Sequence, residues 1–297
     1  MTSNSELRSS DTPTQDQRAW LDLQYSPSKT ARDPEGAAAR WRDGTAAARN
    51  AHAEGRWIHV PHGSGLHSAS EIFLPVDEAP SPMIAFIHGG WWQEGSIDVA
   101  AAPATTFTSA GIAWASLGYT LAPQATLGQI IAEIGHALGK VIEASGGRVD
   151  PTRIVLAGHS AGAHLAASHA IRVHSGASCV AVQGLLLVSG AYDLGPVQKS
   201  YVNDAVQMSP EEAEALSPAL QERPRDIEAV IAVGLEEGEE FVRNARTLRS
   251  VWSDMAATTE LLEIKGRDHF NILDELAVDS GVLFRRAVAM SALRRAR

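Results

Sequence analysis

Cysteine is almost missing: Cys179 stands alone among 297 residues, so no disulfide can close within the chain. It lies at the edge of an apolar stretch and is expected to be a small core side chain, not a nucleophile. Long apolar runs are missing as well, and with no 18 consecutive apolar residues the sequence predicts no transmembrane helix. The opening segment MTSNSELRSSDTPTQDQ is polar and lacks the apolar stretch of a signal peptide, which predicts a cytoplasmic protein. Positive charge is scarce, 25 Lys and Arg against 35 Asp and Glu for a net charge of −10. That balance argues against nucleic acid or an anionic membrane as partner. Metal-ligand spacing is lacking too: His164, His169 and His174 recur every five residues, about 140° apart on a helix, so they cannot share a face. No metal and no cofactor is expected.

What is present is enough for one large core, since 44% of the chain is hydrophobic. Residues 1–19 are polar and predict a disordered tail, followed by a single domain over 20–297. Residues 30 to 55 have an alanine-rich helical look around Trp41. Apolar strand-like runs then alternate with helical patterns: Met83 to Ile87, Ile154 to Ala157, Gly184 to Val188, Ala229 to Val233 and Thr259 to Ile264. Thr126 and Gln129 fit a capping box opening a helix whose apolar positions follow helical spacing through Ile142. Residues 192–226 carry no strand pattern, only a capping box at Ser209 with Pro210 at the first helical position. This stretch is expected to form a small helical cap. A final helix is expected from Ser280 to about Arg295.

Two motifs follow two of the strands. Gly158-His159-Ser160-Ala161-Gly162 fits G-x-S-x-G between the run ending at Ala157 and a small-residue helix. The glycines leave room for a sharp turn that pushes Ser160 into the open, where it can act as a nucleophile. His88-Gly89-Gly90-Trp91-Trp92 follows the run ending at Ile87. Bare glycine backbone there lets a substrate oxygen approach amide donors, so Gly89 and Gly90, with Ala161 after the serine, form a candidate oxyanion hole.

A serine hydroxyl needs a base, and the base needs an orienting carboxylate. In the chain order serine, acid, histidine, only His269 lies beyond residue 174, in Gly266-Arg267-Asp268-His269-Phe270. The acid has competitors. The strand ending at Val233 runs into Gly234-Leu235-Glu236-Glu237-Gly238-Glu239-Glu240, and Asp193 follows the preceding strand.

Together these residues resemble the arylformamidases, the kynurenine formamidases of tryptophan breakdown. These are α/β-hydrolases carrying HGG-aromatic-Trp, G-H-S-A-G-x-H, V-G-x-x-D-x-x-E-F and G-x-x-H-F. The chain has HGGWW at 88–92, GHSAGAH at 158–164, VGLEEGEEF at 233–241 and GRDHF at 266–270. The likeness also covers Gln24 to Pro27, Tyr119 to Pro123 and Ser189 to Leu194, and spans roughly residues 20 to 290.

The resemblance implies an α/β-hydrolase fold: a mostly parallel sheet, helices on both faces and a small helical cap. It implies an acyl-transfer hydrolase with Ser160 as nucleophile, His269 as base and Glu237 as acid, one methylene longer than the usual aspartate. The substrate it implies is N-formylkynurenine or a similar N-formyl arylamine, released as amine and formate. The same triad also suits a carboxylesterase or an aryl-carbamate hydrolase, and a non-catalytic binding protein on this fold is the reading from another class. Trp91 and Trp92 are expected to wall the substrate pocket, with Tyr25, His159 and Phe270 added by resemblance and position. The partner implied is a small-molecule amide or ester, and whether the chain pairs as a homodimer is left open.

Overall fold

The computed structural model describes residues 13–63, 65–77, 79–178, 180–253 and 258–292. Eight strands form one sheet: β1 (Trp57–Pro61), β2 (Ala69–Phe73), β3 (Ser81–Ile87), β4 (Ala113–Leu117), β5 (Val149–His159), β6 (Gly184–Val188), β7 (Glu228–Gly234) and β8 (Thr259–Ile264). Their order is β1-β2-β4-β3-β5-β6-β7-β8. β1 pairs with β2 and β2 with β4 antiparallel, and every later pairing is parallel. The central strands are buried throughout β3, β4 and β6, which is why they read as continuous apolar runs.

Alternate residues of these strands supply two cores. On one face Met83, Ala85, Ile87 and Leu156 pack under α1 (Gln15–Gln24), α5 (Leu127–Ala144), α6 (Ala161–His174) and α10 (Glu239–Val251). On the other, Ile84, Phe86, Val155 and Ala157 meet α3 (Pro34–Ala51), α4 (Ala104–Ser109), α11 (Asp274–Ala277) and α12 (Val282–Ala292). The short α2 (Pro27–Thr30) joins α1 to α3. Between β6 and β7 lie three short helices, α7 (Gly195–Gln198), α8 (Asn203–Val206) and α9 (Pro210–Ala215). The expected capping boxes at Thr126 and Ser209 are both formed.

Ordered structure begins earlier than residue 20. Thr14 caps α1 through a capping box with Gln17, a signal already present in Thr14-Gln15-Asp16-Gln17, and Arg18 pairs with Asp22 and Asp204. Residues 1–12 and Cys179 lie outside the described residues, as do Arg294 and Arg295 of the expected last helix.

The crossing of β5 and α6 over β3 is tight. A Cβ on Gly158 would run into the backbone of Gly162, and one on Gly162 into the carbonyl of Ile87. Gly128, in the first turn of α5, has open space where a Cβ would go. Gly162→Ala is therefore expected to lower stability in urea unfolding by about 1–3 kcal/mol. Gly128→Ala should leave it unchanged or raise it by up to about 1 kcal/mol. Equal effects would contradict the packing.

Candidate active site

The parallel strands β3, β5, β7 and β8 all end at one edge of the sheet, and the loops that leave them carry the predicted residues. β5 stops at His159 and α6 starts at Ala161, so Ser160 alone makes the turn, at φ 54° and ψ −120°. A left-handed conformation for a residue with a Cβ is strained and is held by its surroundings. Here the Ser160 amide donates to the Val188 carbonyl at 2.8 Å. Gly89 lies directly against this turn, since a Cβ on it would stand 3.1 Å from the Cβ of Ser160. The amides of Gly89 and Gly90 find no acceptor among the described residues. Ala161 opens α6, so its amide has no carbonyl within the helix to meet. Donors of this kind beside a serine can stabilise an oxyanion.

His269, past β8, donates from Nδ1 to Glu237 Oε2 at 2.6 Å, and both side chains are essentially buried. The second oxygen of Glu237 is also held: Ser189 Oγ donates to Oε1 at 2.6 Å and the Gly234 amide at 2.7 Å. Ser189, the residue just after β6, has φ 54°, a second strained non-glycine residue facing this cluster. Asp193, Glu236 and Glu240 are engaged elsewhere. Asp193 meets Arg243, Glu240 accepts from Tyr25 and from the Arg243 fork, and Glu236 pairs with Arg32. Ser160 Oγ makes no hydrogen bond to the imidazole in this structure, but both groups face one cavity, and such bonds tighten as substrate enters.

That cavity, of about 200 Å³, is lined by Gly89, Gly90, Trp91, His159, Ser160, His269 and Phe270. Its outer wall is not the 192–226 segment, none of which reaches it. Pro27 of α2 and Ala37, Ala38 and Trp41 of α3 close that side. The segment instead backs the HGG loop and α6, with Gln93 donating to the Val202 carbonyl at 3.0 Å and His164 of α6 to the Leu216 carbonyl at 2.9 Å.

Two expected pocket residues are displaced. Trp91 and Trp92 both have positive φ, 47° and 61°, and their rings meet edge-on with centroids 5.6 Å apart while taking different surroundings. Trp91 lines the cavity, whereas Trp92 is fully buried against His164, with ring centroids 5.0 Å apart. Tyr25 is also fully buried, behind Trp91: its ring meets Trp91 edge-on at 5.5 Å and its carbonyl accepts from Trp91 Nε1 at 3.1 Å. Its hydroxyl donates to Glu240 at 2.7 Å. A buried tyrosine needs such an acceptor, and this one lies away from the cavity. His159 lines the cavity and donates from Nε2 to the His269 carbonyl at 2.7 Å, which fixes the base loop.

Three contributors went unseen in the sequence. Ser189 supports Glu237 from the neighbouring strand. Asp268 accepts from the amides of Phe270, Asn271 and Arg32, tying the base loop to the N-terminal helices. Burial would raise its carboxyl, but those amides outweigh it and hold Asp268 below the usual carboxylate range. Glu94, after the tryptophans, lines the cavity as well. Only the S/T-D/N composition of such loops hints at roles set by contacts far away in sequence.

No group of three or more metal-ligating side chains is found among the described residues, and no helix there is long and apolar enough to cross a membrane.

Burial pushes the His88 and His164 imidazoles down to about 4, and His159 well below its ordinary value, with His269 adding to the shift. An imidazole held neutral in the folded chain takes up its proton first in the unfolded one. Its stabilising contribution is therefore full above about pH 6.5 and falls as pH drops toward 4. The urea midpoint should decline steadily between pH 6.5 and 5, where most carboxylates stay ionised. A flat midpoint across that window would contradict the neutral burial of these rings.

Residues 84–257 match a family described by its alpha/beta hydrolase fold. The chain is 27% identical over 283 residues to the kynurenine formamidase of Danio rerio, covering 91% of this chain and 95% of that protein. It is 28% identical over 227 residues to the kynurenine formamidase of Salmo salar, covering 74% and 76%. Among solved structures it is similar to a candidate thioesterase from a Silicibacter species, at 26% identity and a TM-score of 0.79, covering 92% of this chain and 99% of that one. The parallel sheet and the site at its carboxyl edge agree with the family match: the chain is a hydrolase belonging to the alpha/beta hydrolase fold family.

Proposed function

We propose that the chain is a serine hydrolase that cleaves aryl formamides, with N-formylkynurenine as the substrate to test first. The observation that carries the reading is the 2.6 Å contact of His269 with Glu237 on a cavity that also holds Ser160, Gly89 and Gly90. His269 accepts the Ser160 proton as the oxygen attacks the formyl carbonyl. Glu237 keeps Nδ1 protonated and stabilises the imidazolium, while the amides of Gly89, Gly90 and Ala161 receive the oxyanion. The proton passes to the departing arylamine and leaves a formyl ester on Ser160, which water hydrolyses to formate. An arylamine leaves more readily than an alkylamine, so esterase-like machinery suffices. Similarity to two fish kynurenine formamidases over most of the chain supports the formamide in particular.

Ser160→Ala should fold normally and lose roughly four to six orders of magnitude in turnover. Glu237→Gln should also lose activity heavily, because the amide favours the wrong imidazole tautomer. Asp193→Asn, whose partner is Arg243, should retain most turnover per folded molecule. The decisive comparison is steady-state hydrolysis of N-formylkynurenine by these four proteins. More than a tenth of wild-type activity in Ser160→Ala, or the opposite order for the two acids, would overturn the assignment.

The cavity is small and apolar, which leaves binding energy to the aromatic leaving group and little space at the carbonyl. With one leaving group and formyl, acetyl, butyryl and longer acyl chains, catalytic efficiency should be highest at the short end. An optimum at six or more carbons would favour a general esterase while leaving the triad untouched.

A further inference from the structure

A substrate must also be held on its leaving side, where the cavity is walled by Trp41, Trp91, Phe270 and Leu273. Burial lowers the His88 and His159 imidazoles, which favours their neutral forms there. Among the described lining residues, one side chain carries a fixed charge. This is Glu94, which is exposed at the mouth and enters no salt bridge with another described residue. Beyond it, Gly95 and Val99 also line a second groove, of about 530 Å³, so the two spaces adjoin across that ridge.

The groove carries two guanidinium groups. Arg49 is committed, in a fork to the buried Glu71 and a further bond to Asp98. Arg42 follows Trp41 on α3, is exposed, and enters no salt bridge among the described residues. An acid and a base thus flank one ridge at the exit of an apolar cavity. That pattern suits a ligand with an apolar body and a zwitterionic end. The two charges of an α-amino acid stand on one carbon, and a tail crossing the ridge of Gly95 and Val99 would pass from the space lined by Glu94 to the one lined by Arg42.

We propose that Glu94 and Arg42 recognise the amino-acid end of the substrate, Glu94 taking the α-ammonium and Arg42 the α-carboxylate, while the aryl formamide occupies the cavity. The inference rests on the aryl formamidase reading and narrows it to formamides with a zwitterionic tail.

The test uses four formamides that share one aryl ketone core: N-formylkynurenine, its decarboxylated amine, its deaminated acid, and 2-formamidoacetophenone with neither charge. Their dissociation constants are measured by calorimetry on the full chain carrying Ser160→Ala, so binding is read without turnover. Adding Glu94→Gln should weaken the two ammonium-bearing ligands by roughly fivefold or more and leave the other two within about twofold. Adding Arg42→Gln should do the same to the two carboxylate-bearing ligands. Loss spread equally over all four, no loss, or loss on the wrong pair would overturn the proposal. If the ligands bind in this pattern but wild-type protein releases no formate, the formamidase reading fails and the recognition stands.

Discussion

The left-handed turn at Ser160 is the constraint on which the site depends. A serine at φ 54° between β5 and α6 needs its neighbours to be nearly bare: Gly158 against the backbone of Gly162, and Gly162 against the end of β3. The same closeness brings Gly89 to the serine and sets the first amide of α6 beside it. The positive end of a helix then faces the place where an oxyanion would form. The proposed nucleophile and oxyanion donors thus belong to one packing arrangement, in which α6, alanine-rich and buried from Ala161 to Ala170, lies close over the sheet.

Buried charge makes the second half of the site. Glu237 has no solvent to satisfy it and relies on Ser189, Gly234 and His269 for its two oxygens. Three residues further on, Glu240 is equally buried and is answered by the Arg243 fork and the Tyr25 hydroxyl, with Asp193 on the third guanidinium nitrogen. A charge taken from water is tolerated only when so paired, and losing one partner leaves the other exposed to the full cost of burial. The network therefore ties α10 to Tyr25, and Tyr25 in turn supports Trp91. The aromatic wall of the cavity stands on an ionic foundation outside it.

The parts legible in sequence were those with local signatures. The apolar runs of β3, β5 and β6, the capping boxes at Thr126 and Ser209, and the glycine motifs after β3 and β5 each depend on residues a few positions apart. The choice among Glu236, Glu237, Glu239 and Glu240 was not local. Glu236 and Glu237 precede α10 while Glu239 and Glu240 open it; the resemblance pointed to Glu237, and in the structure that is the one of the four in contact with His269. Trp91 and Trp92 could not be told apart for a similar reason: consecutive positive φ values, absent from any propensity, decide which ring meets the cavity. Tyr25 was drawn toward the pocket by resemblance, while its hydroxyl answers to Glu240. The tail drawn to residue 19 overlooked a capping box that starts α1 five residues earlier than expected.

The cavity's outer wall shifts where specificity resides. Ser160, Gly89, Gly90 and Glu237 all fall within residues 84–257, the stretch matched by the family. Pro27, Ala37, Ala38 and Trp41 precede that stretch, and Phe270 and Leu273 follow it, yet these side chains enclose the space beside the serine. The matched stretch therefore holds Ser160 and Glu237 but not His269, and most of the cavity's outer wall comes from the segments that flank it. Asp268 joins the two regions, since its carboxylate holds both the His269 loop and the Arg32 amide ahead of α3. A change in the N-terminal helices thus acts on the cavity wall and, through Asp268, on the loop that holds His269. The cavity wall and the His269 loop are thus joined where the ends of the described chain meet, through Arg32 on Asp268 and Arg40 on Asp274.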